Sequence, residues 1–130
     1  MMRVLLVEDH ADTAYITSSI LQKYGYEVVI APSFRDGLQI GRAESFDIAL
    51  VNVGLPDGDG CDLLSHLGAK SPAIAIAFTG FAMGDDSERC RRAGFHDVIA
   101  KPVDPTRLLQ TMTTVFGPRQ QADHHNQPQA

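Results

Sequence analysis

The fold of this chain is organised around residues 47–60, with the sequence Asp-Ile-Ala-Leu-Val-Asn-Val-Gly-Leu-Pro-Asp-Gly-Asp-Gly. The first part, Ile48–Val51, is a short apolar run that predicts a buried strand, and the residues after Val53 are mostly turn formers. Asn52 therefore falls at the carboxyl end of a central strand, directly before the chain turns. In an open α/β sheet this edge is where ligands bind, so Asn52 marks the candidate site.

The bulk composition limits the class of protein. The chain has 130 residues, 44% of them hydrophobic and 21% charged, which is typical of one soluble globular domain. No apolar run approaches the roughly 18 residues of a membrane helix, and the N-terminus lacks a signal-peptide pattern. We therefore expect a cytoplasmic protein without a membrane partner. The net charge of -5 argues against direct nucleic-acid binding, which needs a basic surface.

Five apolar segments alternate with five helical patterns along the chain. The predicted strands are Arg3–Val7, Tyr26–Ile30, Ile48–Val51, Ala73–Phe78 and Val98–Ala100. Because crossovers between parallel strands are right-handed, this alternation predicts an α/β fold with helices on both faces of one sheet. The expected architecture is a doubly wound, five-stranded parallel sheet with strand order 2-1-3-4-5, which is the flavodoxin-like topology.

The helices have recognisable faces and boundaries. In the first helix Ile16, Ile20 and Tyr24 repeat every four residues, which indicates one apolar face. Capping residues are predicted at Ser33 with Asp36, at Asp59, at Gly94 and at Asp104 with Pro105. Inward-facing residues of the second and fifth helices are predicted to be Phe34, Leu38, Leu108, Met112, Val115 and Phe116.

The pattern predicts one domain over residues 1–117, followed by a disordered polar tail over residues 118–130. The two cysteines, Cys61 and Cys90, suit neither a disulfide framework nor a metal site, so we expect free thiols on helices. The histidines are not expected to form a metal site. Two of them, His124 and His125, lie in the tail.

Polar residues follow four of the predicted strands at the same edge of the sheet. The first strand is followed by Glu8 and Asp9, the third ends in Asn52, the fourth in Thr79, and the fifth in Lys101. Each alone has an ordinary structural explanation, such as helix capping, but together they suit phosphoryl transfer to a side chain. Carboxylates bind Mg2+, and a hydroxyl and an ammonium group can hold phosphoryl oxygens. The position of the nucleophile is occupied by Asn52.

This arrangement resembles the receiver domain of two-component response regulators, over roughly Met1 to Phe116. The matching motifs are Val7-Glu8-Asp9, the segment 52–60, Phe78-Thr79-Gly80 and Lys101-Pro102. The resemblance implies Mg2+ held by Glu8, Asp9, residue 52 and the backbone carbonyl of Gly54. It also implies that Thr79 is the switch hydroxyl, that Lys101 contacts the phosphoryl group, and that the Lys101–Pro102 peptide bond is cis.

The resemblance further implies a signalling receiver rather than an enzyme, in which any self-phosphorylation and dephosphorylation of an Asp form belongs to switching. The expected partner is a histidine kinase or a histidine phosphotransfer protein. An output protein is expected on the face formed by helix four, strand five and helix five.

The sequence departs from the family pattern at two positions. The family has its phosphoacceptor Asp where this chain has Asn52, and a neutral carboxamide is a far poorer nucleophile than a carboxylate. We therefore expect no phosphorylation at residue 52 and a weakened Mg2+ site. Many receivers carry a Tyr or Phe, which rotates inward on activation, where this chain has Val98.

Two interpretations of Asn52 remain open. It is either an engineered substitution that blocks a receiver or a feature of a natural pseudo-receiver that signals without phosphate. A flavodoxin-like nucleotide-binding enzyme is a distant alternative, because no glycine-rich phosphate loop follows the first strand. Residues 57–60 could be the start of a calcium loop, but the ligand required at the twelfth position is missing, so a turn is expected.

Overall fold

A computed structural model of the chain describes residues 2–80, 84–102 and 104–113. These residues contain one five-stranded parallel sheet. Its strands are β1 (Arg3–Val7), β2 (Glu27–Ala31), β3 (Ile48–Asn52), β4 (Ile74–Thr79) and β5 (Asp97–Ala100). The spatial order is β2-β1-β3-β4-β5, which confirms the predicted doubly wound topology. Strand boundaries differ from the predictions by at most one residue.

Helices cover both faces of the sheet. They are α1 (Ala11–Lys23), α2 (Phe34–Ala43), α3 (Leu63–Leu67), α4 (Gly84–Arg92) and α5 over residues 105–113. Between β3 and α3 the chain forms a short antiparallel pair, Gly54–Leu55 with Gly58–Asp59, and then a 3-10 turn, Gly60–Asp62.

Two apolar cores result, one on each face of the sheet. Successive side chains of a strand point to opposite faces, so Leu5 and Val7 pack with residues of α2, α3 and α4. Val4 and Leu6 pack on the other face with residues of α1 and α5. The predicted inward positions Phe34 and Leu38 are partly buried against the first of these cores.

The predicted caps are confirmed except at Asp59, which caps the 3-10 turn before α3 and not α3 itself. The Ser33 hydroxyl accepts a hydrogen bond from the Asp36 N–H at 3.0 Å, and the Asp59 carboxylate accepts one from the Cys61 N–H at 2.9 Å. The Asp104 carboxylate accepts from the Thr106 N–H at 2.9 Å. Gly94 follows α4 with φ of 109°, a conformation that other residues seldom adopt.

The predicted apolar face of α1 is wrong. Ile16 and Tyr24 are 56% and 61% exposed, while the side of the helix against the sheet is formed by Ala14, Thr17, Ser18 and Leu21. The side chains on this inner side, apart from Leu21, are small. Ile16 and Tyr24 therefore lie on the outer surface of α1, and Ile20 is of intermediate burial.

The prediction of free thiols is also wrong, because Cys61 and Cys90 form a disulfide. The two residues are 29 positions apart in sequence, and their Cα atoms lie 5.2 Å apart. Cys61 belongs to the 3-10 turn and Cys90 to α4, and both point into the core between the sheet and α2, α3 and α4. Only the tertiary packing of the turn against α4 brings the two sulfur atoms together.

Some predictions lie outside the described residues, namely the inward positions Val115 and Phe116, the domain end at residue 117 and the tail. Leu108 and Met112 of α5 are buried as predicted. Among the described helices, none has the length and apolar character that crossing a membrane requires.

Candidate functional site

The predicted polar residues meet at the carboxyl edge of the sheet. Glu8 and Asp9 follow β1, Asn52 ends β3, Thr79 ends β4 and Lys101 follows β5. Because β1, β3, β4 and β5 are adjacent in the sheet, these ends lie side by side. Glu8, Asn52 and Thr79 are at most 3% exposed, so the edge carries buried polar groups that need partners.

The carboxamide of Asn52 lies between the two carboxylates. Its Nδ2 atom donates hydrogen bonds to Asp9 Oδ1 at 2.8 Å and to Glu8 Oε2 at 3.3 Å. A neutral donor in this position gives one hydrogen bond to each acidic group without adding charge. The amide therefore holds together two carboxylates that would otherwise repel each other.

Lys101 supplies the positive charge of the site. Its Nζ atom lies 2.8 Å from Glu8 Oε1, in an ion pair that lacks the alignment of a hydrogen bond. The Glu8 side chain is 0% exposed and that of Lys101 19%. The Lys101 backbone N–H also donates to the Thr79 carbonyl at 2.8 Å, and the predicted cis bond to Pro102 is confirmed.

The turn after β3 packs directly on the backbone of Asn52. The Val53 N–H donates to the Phe78 carbonyl at 2.8 Å, and the Gly60 N–H donates to the Val53 carbonyl at 2.8 Å. A Cβ atom at Gly60 would collide with the Asn52 carbonyl oxygen, so only glycine fits there. Gly54, whose carbonyl is a predicted Mg2+ ligand, is an exposed residue at the start of this turn.

Sequence reasoning missed His10, which lies beside the acidic pair. Its Nδ1 atom is 3.2 Å from Glu8 Oε2 and 3.6 Å from Asp9 Oδ1, and its side chain is 68% exposed. The Glu8 carboxylate also accepts from the His10 backbone N–H at 3.2 Å. The available signal was its position in the chain, directly after Asp9.

The acidic pair is suited to a hard divalent cation. Ligand atoms of Glu8, Asp9 and His10 all lie within 4.8 Å of one another, and two of the three groups are carboxylates. Asn52 presents its nitrogen, not its oxygen, to the carboxylates, so the amide must turn before it can add a ligand. The donor set therefore fits Mg2+. It carries one negative charge fewer than it would with an Asp at residue 52.

A groove runs beside the site between α1 and the segment after β5. Its walls include residues of α1, together with His10, Lys101 and Pro102. Ile16 of α1 also lines this groove, and the neighbouring Tyr15 is exposed.

Comparison with known proteins identifies the family. The family model of the response regulator receiver domain matches residues 4–113. The solved structure of a CheY-like receiver domain protein from Methanospirillum hungatei is 35% identical in sequence. It superimposes with a TM-score of 0.81, covering 88% of this chain and 92% of its own.

Curated relatives include whole proteins of similar size and longer regulators. Protein PilH of Pseudomonas aeruginosa is 31% identical over 119 residues, which cover 89% of this chain and 98% of PilH. The transcriptional regulatory protein ZraR of Salmonella typhimurium is 33% identical over 110 residues, which cover 84% of this chain but only 25% of ZraR. The chain therefore belongs to the receiver-domain family of response regulators.

Proposed function

We propose that this chain is a phosphorelay receiver in which Asn52 occupies the phosphoacceptor position and blocks phosphorylation. With an aspartate at residue 52, the domain accepts a phosphoryl group from a histidine kinase or a histidine phosphotransfer protein. The observation that carries the proposal is the environment of Asn52, which is buried and hydrogen-bonded to both Glu8 and Asp9. A carboxylate at this position would have its oxygens among the ligands of a metal and within reach of a phosphoryl donor.

Nucleophilicity explains the block. A carboxylate oxygen attacks phosphorus and forms an acyl phosphate, whereas the lone pair of an amide nitrogen is delocalised into its carbonyl group. The Asn52 amide nitrogen in addition donates both of its observed hydrogen bonds to carboxylates. The residue therefore serves as a donor to the acidic pair and not as an attacking group.

The other site residues have roles that follow from their charge and position. Glu8, Asp9, residue 52 and the Gly54 carbonyl would hold Mg2+, which would supply positive charge against the phosphoryl group. The Lys101 ammonium, now paired with Glu8, moves to the phosphoryl oxygens, and the Thr79 hydroxyl at the end of β4 hydrogen-bonds them. Replacing the carboxylate by Asn52 removes one charge and weakens Mg2+ binding.

Partner binding is proposed on two surfaces. The groove lined by Ile16, Lys101 and Pro102, with the exposed Tyr15 next to it, supports docking of the phosphodonor protein close to residue 52. The face formed by α4, β5 and α5 is proposed for the output protein, in a cytoplasmic setting and without direct nucleic-acid contact. Val98, buried in β5, cannot serve as an aromatic rotor on that face.

A natural pseudo-receiver that binds partners without phosphate is the second candidate. Its support is that the site holds together without a phosphoryl group, since Asn52 hydrogen-bonds both carboxylates and Lys101 forms an ion pair with Glu8. In this case Asn52 maintains one fixed conformation of the edge of the sheet.

Phosphorylation by acetyl phosphate in Mg2+, measured by intact mass, separates the two candidates. We expect the Asn52→Asp variant to gain one phosphoryl group and this chain to gain none. Failure of both proteins to react would favour the pseudo-receiver, and reaction of the chain with Asn52 would contradict the proposed block.

A further inference from the structure

A second cluster, with a buried disulfide and a partly exposed ion pair, lies away from the site, where the turn after β3 meets α4. We call it the clamp, and it consists of Asp59, Cys61, Arg89 and Cys90. The disulfide between Cys61 and Cys90 fixes the turn to α4, and the two cysteines are 1% and 0% exposed. Beside it the Arg89 guanidinium forms an ion pair with the Asp59 carboxylate. One covalent and one ionic contact thus join the same two elements.

The clamp is connected to the candidate site through the backbone of the turn. The Asp59 carboxylate, which binds Arg89, also accepts a hydrogen bond from the Cys61 N–H at 2.9 Å. The residue between them, Gly60, donates to the Val53 carbonyl at 2.8 Å and has no room for a side chain against Asn52. A change in the clamp therefore acts on the turn that packs against Asn52.

We propose that Cys61 and Cys90 form a redox modification site, which a dithiol reductant opens and which controls how firmly α4 is held to the turn. The proposal does not depend on whether residue 52 accepts a phosphoryl group. The bonded form restrains both elements. The reduced form keeps the partly exposed Asp59–Arg89 ion pair as a link within the clamp, which holds the two elements more weakly than the covalent bond does.

The chemistry is thiol–disulfide exchange. A thiolate of the dithiol attacks the sulfur of one cysteine, forms a mixed disulfide with it and releases the other cysteine as a thiolate. The second thiol of the reductant then displaces the first cysteine. The protein gains two thiols, with two electrons and two protons from the reductant, which leaves as its own intramolecular disulfide.

Burial of the sulfurs controls the rate of opening. Since Cys61 and Cys90 are almost completely buried, a reductant reaches them only after the turn and α4 separate locally. Weakening the ion pair by Arg89→Ala should therefore accelerate reduction several-fold. Arg91→Ala is the matched control, because Arg91 pairs with Asp97 and lies outside the clamp.

The first test counts thiols in the full chain. The protein is equilibrated in mixtures of reduced and oxidised dithiothreitol, quenched in acid, alkylated with N-ethylmaleimide after denaturation, and weighed intact. We expect no N-ethylmaleimide adduct in the most oxidising mixture, two adducts in the most reducing mixture, and a transition at intermediate mixtures. Cys61→Ser and Cys90→Ser should each show one adduct throughout. Two adducts in the wild-type chain under every mixture would overturn the proposal.

The second test measures hydrogen exchange in the same redox states. We expect amide exchange of residues 54–62 and 84–92 to increase several-fold when the wild-type chain is reduced. Neither single-cysteine variant should respond to dithiothreitol. Equal exchange of the oxidised and reduced wild-type chains would mean that the bond restrains nothing, and would contradict its role as a control element.

Discussion

Two side-chain clusters join neighbouring elements of this domain, and they do so by different physical means. The site cluster consists of Glu8, Asp9, Asn52 and Lys101, and the clamp consists of Asp59, Cys61, Arg89 and Cys90. The site cluster is held by hydrogen bonds and an ion pair around a carboxylate with a fully buried side chain. The clamp is held by a covalent bond with a partly exposed ion pair beside it.

The difference shows which signal each cluster can respond to. In the site cluster, stability depends on the balance between the negative carboxylates and the positive Lys101. A metal ion, a phosphoryl group or a carboxylate at residue 52 would each change this balance directly. In the clamp, stability depends mainly on whether the Cys61–Cys90 disulfide is oxidised or reduced, and the ion pair contributes less. Each cluster can be broken separately, and the expected losses of stability differ in size.

Removing the disulfide of the clamp should cause the largest loss of unfolding free energy. Under oxidising conditions the Cys61→Ala/Cys90→Ala variant should lose about 3 kcal/mol of unfolding free energy, because a disulfide restricts the unfolded chain. Urea unfolding measures the difference. In excess dithiothreitol the wild-type chain should lose most of its advantage, and equal midpoints in both buffers would contradict the contribution of the bond.

Removing the cation of the site cluster should cause a slightly smaller loss of unfolding free energy. Lys101→Ala removes the cation next to the buried Glu8 carboxylate, and we expect a loss of about 2 kcal/mol because an unpaired buried charge is unfavourable. This loss is smaller than for a fully buried pair because the Lys101 side chain is 19% exposed. Arg91→Ala, which removes a more exposed pair, is the control and should change the urea midpoint little.

Adding charge to the site cluster sharpens the comparison. Asn52→Asp replaces a donor to two carboxylates by a third carboxylate, so the metal-free protein should lose about 1–2 kcal/mol. Mg2+ should restore this loss and bind the variant more tightly than the chain with Asn52. Thermal unfolding in EDTA and in Mg2+ measures both effects, and equal melting temperatures for the two proteins in both buffers would contradict the electrostatic account.

The weakest effect is expected at Asp57, in the turn between the two clusters. The backbone N–H groups of Arg35 and Phe34 donate to its carboxylate and lower the pKa of Asp57. A lowered pKa stabilises the fold above the ordinary carboxyl value, and this contribution is lost as the pH falls through the lowered pKa. The Asp57→Asn variant should therefore be slightly less stable than wild type at pH 7, with a difference that narrows in strong acid. A difference that is constant with pH would exclude the carboxylate as its cause.

The sequence predicted the features that rest on local chemistry. Strand order, the caps at Ser33 and Asp104, and the convergence of Glu8, Asn52 and Lys101 all follow from apolar runs, turn residues and the rules for parallel sheets. These features depend on a few neighbouring residues and on a topology with few alternatives.

Features that depend on tertiary packing could not be predicted. The inner side of α1 includes Thr17 and Ser18 and excludes Ile16, so the apolar repeat did not reveal which side of the helix is buried. The Cys61–Cys90 bond requires the turn and α4 to meet, which sequence spacing does not reveal. For His10, the position directly after Asp9 was the only indication in the sequence that the residue lies at the site.

We propose that this receiver site is complete except for its nucleophile. The most direct measurement follows intact mass over time in acetyl phosphate and Mg2+, with hydroxylamine added afterwards to cleave any acyl phosphate. Four proteins are compared: the chain itself, Asn52→Asp, and Asn52→Asp combined with Thr79→Ala or with Lys101→Ala. We predict one hydroxylamine-labile phosphoryl group on Asn52→Asp, much slower gain on both double variants and none on the chain itself. An unreactive Asn52→Asp protein that remains folded and binds Mg2+ would contradict this proposal.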